Sequence, residues 1–180
     1  RDRRFRSLFY GNFMLNNEIL SSPLYQELCP LVEALGMDLC DVRKSVQGKT
    51  VQIFVTVALK EGETGVDECA KVHHTILPRL QMQYGREELY MEVSTPGIQR
   101  NFRDVHEFRI FKGKRVRVYS QKFSSWVCGL IGETKDSSVC LTQYEVEDTK
   151  ESGDILELNF EDIQKAKLEY KWEDMKNVRV

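Results

Sequence analysis

The sequence predicts an α+β protein of two domains, a two-layer α-β-β-α-β unit followed by a small β-barrel, and three observations carry that prediction. A helical apolar period beginning at Leu24 gives way to period-two alternation from Val51 to Leu59. A Pro96-Gly97 step then interrupts the chain. Beyond it, short strand-like runs follow one another with no long helix between them.

The first helix is expected in SSPLYQELCPLVEALG. Ser22 suits the N-cap, Pro23 the first helical position and Gly36 the stop. Leu24, Leu28, Leu31, Val32 and Leu35 fall on one face, and because this period continues past Pro30, the proline is expected to kink the helix rather than end it. MDLCDVRKSV and TVQIFVTVAL form a hairpin around Gln47-Gly48-Lys49, the second strand showing Val51, Ile53, Val55, Val57 and Leu59 in alternation. After the polar KEGETG loop, a second helix starts near Thr64 or Asp67, with Val66, Cys69, Ile76, Leu77 and Leu80 as its apolar positions. Tyr84-Gly85 turns the chain into a third strand, LYMEVST.

Past Gly97, DVHEFRIF is one or two helical turns. The barrel strands are KRVRVYS, WVCGLIGETKD, SVCLTQYEV, ILELNF and KAKLEY, punctuated by Gly113, Gly132 and Gly153. The domains are therefore expected at residues 22–97 and 98–180. Residues 1–21 are set apart as an N-terminal extension, native or added, and Met14 is a candidate initiator.

Composition fits a folded protein. The 180 residues are 41% hydrophobic and 30% charged, with mean hydropathy -0.44, and no run reaches the roughly 18 apolar residues of a membrane helix. No membrane role is expected. Cys29, Cys40, Cys69, Cys128 and Cys140 are widely spaced with no C-x-x-C pair, which points to free thiols in a reducing, cytoplasmic compartment.

The net charge of -2 hides an asymmetry: Gly97 to Lys122 holds eight bases against two acids, and Glu145 to Glu169 nine acids against three bases. The plain reading is two solvated faces that offset each other. The sharper one is a phosphate-binding patch beside an acidic surface for a basic partner. In KRVRVYS, alternation puts Arg115 and Arg117 on one solvent face; Lys112 and Lys114 flank them, and Arg100 and Arg103 arrive from the joint. Phe102, Phe108, Phe111 and Tyr119 read equally as base-stacking rings and as core.

Sites for chemistry are not expected. GKT at 48–50 lacks the earlier glycine of a phosphate-binding loop, and GETG at 62–65 has the spacing of a KH clamp but lies between a strand and a helix with an acid inside it. Cys69 and His73 share a helix face without further ligands converging in sequence, so no metal site is expected. His73, His74 and His106 form no recognisable triad. No catalytic residue and no cofactor is assigned.

The runs LVEALGMDLCDV, DECAKV, YMEVSTPGIQR, FKGKRVRV and NFEDIQKAKLE, in that order over roughly residues 22–170, resemble the ribosome maturation factor RimP family. The segment from Glu92 to Arg100 is the most specific, and Gln99 and Asn101 depart from the Asp and Pro that family members often carry there. The resemblance implies a KH-like N-terminal domain, an interdomain linker at Ser94, Thr95, Pro96 and Gly97, and a C-terminal Sm/SH3-like barrel. It also implies a non-enzymatic, monomeric factor that binds the free small (30S) ribosomal subunit during its maturation, with small-subunit rRNA and small-subunit ribosomal protein twelve as partners. The rRNA is then assigned to Arg100, Arg103, Lys112, Lys114, Arg115 and Arg117, and the basic ribosomal protein to Glu145, Glu147, Asp148, Glu151 and Asp154. The alternative is a free-standing RNA-binding regulator built on the same two folds, which as an Sm-type protein acts as a ring.

Overall fold

The computed structural model describes residues 15–62, 64–85 and 88–170. They fall into two compact units, Asn17–Gly97 and a second that begins at Ile98 and includes Asn16. The basic, aromatic run at 1–14 lies outside the described residues.

The first unit contains α1 (Pro23–Glu33), β1 (Met37–Gln47), β2 (Thr50–Leu59), α2 (Val66–Tyr84) and β3 (Leu89–Ser94). Ser22 is extended with Pro23 at the first helical position, but its hydroxyl makes no cap bond. The helix runs through Pro30 to Glu33, and Gly36 at φ +77° turns the chain out of it. Three strands form a mixed sheet in the order β1-β2-β3, antiparallel then parallel, and Gln47 opposite Thr50 closes the hairpin around Gly48 and Lys49. Ile53, Val55 and Val57 from β2 meet Leu28 and Val32 from α1 and Val72, Ile76 and Leu80 from α2 in one core. This unit also reaches back before Ser22, because a 3-10 turn at Ile19–Ser21 lays Ile19 against that core.

Helix α2 departs from expectation in its phase. Val66 is exposed and Val72 is buried, so the apolar stripe follows 72, 76 and 80 rather than starting at 66. Gly65 is the N-cap, and the Glu68 carboxylate reaches back to accept its N–H at 2.9 Å.

The second unit contains α3 (Glu107–Ile110), β4 (Arg115–Ser120), β5 (Ser125–Thr134), β6 (Ser138–Val146), β7 (Ser152–Asn159) and β8 (Ile163–Leu168). The strands form one antiparallel sheet in the order β7-β6-β5-β4-β8. Register breaks between Cys128 and Leu130 and between Ile131 and Thr134 bend β5. Phe102 stacks on Phe111 at 5.5 Å and meets Phe108 edge-on at 5.0 Å, while Phe108 stacks on Phe160 at 6.0 Å. Phe102, Phe108 and Phe111 are buried, so these three aromatics are core rather than base-stacking rings. The architecture is α+β, a mixed sheet followed by an antiparallel one.

Candidate functional site

Strict alternation on β4 buries Val116 and Val118 and turns Arg115, Arg117 and Tyr119 to the other face. Register then decides what stands beside them. Arg117 lies opposite Cys128 on β5 and Lys167 on β8, and Cys128 lies opposite Glu145 on β6. Tyr119 lies opposite Trp126 and Lys165. One face of the sheet therefore runs from lysines on β8, through arginines on β4, to carboxylates on and beyond β6.

The centre of that face is a charge pair. Arg117 donates from Nη2 to the Glu147 carboxylate at 2.5 Å, with its guanidinium 4.7 Å from the Trp126 ring centroid. Tyr119 meets the same indole edge-on at 5.4 Å, and Lys167 Nζ stands 5.9 Å from it. The hydrogen bond from Arg117 holds the Glu147 carboxyl below its ordinary range, and the carboxylate in turn raises the guanidinium. Burial, reinforced by Glu169 and Glu147, pushes the Cys128 thiol up to about 12. The thiol therefore stays protonated and is no nucleophile at neutral pH.

Beside the pair, Arg115, Glu145, Glu147, Asp148, Asp154 and Glu169 help line an open concavity of about 800 Å³. Glu145 accepts from Lys150 at 3.4 Å and Glu151 from the Tyr144 hydroxyl at 3.4 Å, while Asp148 and Asp154 are exposed. The proposed protein-binding acids thus gather on one side of the second unit. The proposed RNA-binding bases do not form one patch. Arg115 and Arg117 belong to the margin of the acidic concavity. Lys112 and Lys114 are exposed at the turn before β4, where Lys112 stands 3.8 Å from Glu133. Arg103 is exposed as well.

Arg100 lies elsewhere. It donates from Nε at 2.6 Å and from Nη2 at 3.2 Å to Glu107, which is wholly buried and also accepts the Arg103 N–H at 2.8 Å. The fork ties the start of the second unit to α3. In the joint, Ser94 ends β3 opposite Thr56, and Gly97 takes φ +75°, a region that favours glycine after the fixed ring of Pro96.

Sequence reasoning missed Trp126, Lys165 and Lys167, although alternation along β5 from the buried Val127 marks Trp126 as outward-facing. It also missed an aromatic pair on the first unit, where Phe54 and Tyr90 meet edge-on at 6.1 Å under the Arg43 guanidinium, 5.2 Å from the Phe54 ring. Among the described residues, no group of three or more His, Cys, Asp and Glu side chains is placed to hold a metal. What the face offers is opposed charge at close range, which suits reversible binding.

In comparison with known families, residues 27–99 fit the family model described as the RimP N-terminal domain. The match begins in α1, takes in both hairpin strands, α2 and β3, and ends two residues past Gly97.

Proposed function

We propose, for a chain that belongs to the RimP family through its RimP N-terminal domain, that it is an assembly factor of the small (30S) ribosomal subunit. It binds the free subunit through rRNA and a basic ribosomal protein, for which protein twelve of that subunit is the candidate, and it works as a monomer in a reducing, cytoplasmic compartment. The domain match carries this reading. Five free cysteines agree with the compartment.

Fold detail follows the same reading. The first unit is taken as KH-like and the second as an Sm-like barrel. Val116, Val118, Val139, Leu141 and Leu158 come from three strands and all have zero exposure. Among the described residues the unit's one α-helix, of four residues, is too small a cover for them on a flat sheet, which argues for a sheet that wraps around its own core.

The charged face suggests a division of labour. Lys112, Lys114 and Arg103 supply phosphate contacts, with Arg115 and Arg117 at the boundary, and the concavity lined by Glu145, Glu147, Asp148 and Asp154 takes the basic protein, with Glu151 near its rim. A salt titration of binding to small-subunit rRNA tests the first half. The reading requires affinity to fall steeply as salt rises; affinity indifferent to salt contradicts it.

A further inference from the structure

The two edges of the antiparallel sheet are treated differently. Residues 100–102 seal β8: Leu168 donates its N–H to Arg100 O at 2.9 Å, Phe102 donates to Ala166 O at 2.8 Å, and Asn101 bridges Lys167. Among the described residues nothing comparable covers β7. Its ladder to β6 occupies one side, and among the described residues no backbone hydrogen bond reaches its other side. Every second residue of β7 therefore turns its N–H and C=O away from the sheet.

Several of the usual protections are also missing. SGDILELN holds no Pro and no Lys, its register with β6 spans the strand, and Ile155 at its middle is 70% exposed. Charge selects the occupant. Asp154 lies on the strand and Asp148 and Glu151 stand beside its start, while Glu157 and Glu145 face Lys135 and Lys150 of the same chain. A second copy is disfavoured because a head-to-tail ring needs a free β8 edge, which residues 100–102 occupy, and because a symmetric pair brings two acidic surroundings together.

We propose that β7 is a docking edge that takes an extended, basic polypeptide segment as an added strand, with Ile155 as its apolar anchor and the surrounding carboxylates as its charge filter. Main-chain hydrogen bonds supply the attachment and side chains choose the partner. The inference rests on the assembly-factor reading for its occupant, a basic ribosomal protein, and adds how that protein is held.

The test uses the full chain, isotope-labelled, with two synthetic decapeptides of alternating Val and Lys, one unmodified and one N-methylated at every second residue to remove backbone donors. The unmodified peptide is expected to bind, to shift and protect amides of Ser152–Asn159, and to bind roughly tenfold or more tightly than the methylated one. Ile155→Lys, at an exposed position, is expected to leave the spectrum folded and weaken binding. Equal binding of both peptides overturns strand addition while leaving the basic-partner reading intact. Failure of both to bind overturns the inference and the acidic half of that reading together. Protection of β7 without peptide, accompanied by a doubled mass, overturns it in favour of a second copy.

Discussion

Arg117 and Glu147 are joined at 2.5 Å, side by side with the Trp126 ring, so one of the bases expected to meet phosphate already holds a carboxylate of its own chain. Both partners are partly open to solvent, at 27% and 34% side-chain exposure, which limits what the bond contributes. Glu147→Gln is expected to cost about 1 kcal/mol or less at pH 7 in chemical denaturation. Because the folded-state pKa of Glu147 is depressed, its contribution is present above the ordinary carboxylate range and fades as pH falls through the folded value. The difference between wild type and Glu147→Gln should therefore shrink toward zero in acid. A gap that widens on acidification contradicts the assignment.

Arg100→Ala is expected to be far more damaging, since it strands the wholly buried Glu107 without its fork. Removing one partner of such a pair costs about 3–5 kcal/mol. Lys114→Ala, at an exposed side chain, should stay within about 0.5 kcal/mol. Denaturation midpoints of the two variants decide it. Similar midpoints would show that Arg100 is not the structural tie described above.

Phe108→Ala removes a ring that has no exposure, meets Phe102 edge-on and stacks on Phe160. A loss of about 3–5 kcal/mol is expected. A variant that keeps wild-type stability but loses RNA binding would return this aromatic to the role of a base-stacking ring.

The exposed lysines and the paired arginine should separate in an RNA titration. Lys112→Glu with Lys114→Glu is expected to weaken binding to small-subunit rRNA and to lower the salt slope by roughly one per residue. Arg117→Glu should change the slope less, because Glu147 already neutralises that guanidinium. Equal effects from all three would mean that the ion pair opens on binding.

Much of this was legible in the sequence. Alternation from Val51 to Leu59 marked β2, because that signal is local. The phase of α2 was not legible: Val66 is apolar but sits at a helix start that the core does not reach. The site was harder still. Alternation showed that Arg115 and Arg117 share a face, yet only the register across β4, β5 and β6 brings Glu147 to Arg117, thirty residues along the chain. Nor does spacing reveal that Glu107 turns inward to receive Arg100, a contact between an acid and a base that look alike solvated in sequence.

The central claim, attachment to an immature small subunit, is tested most directly by sedimenting cell lysate on a low-salt gradient and probing each fraction for this protein. Migration with free small subunits and absence from assembled ribosomes is the predicted result. A protein found only at the top of the gradient would contradict the account.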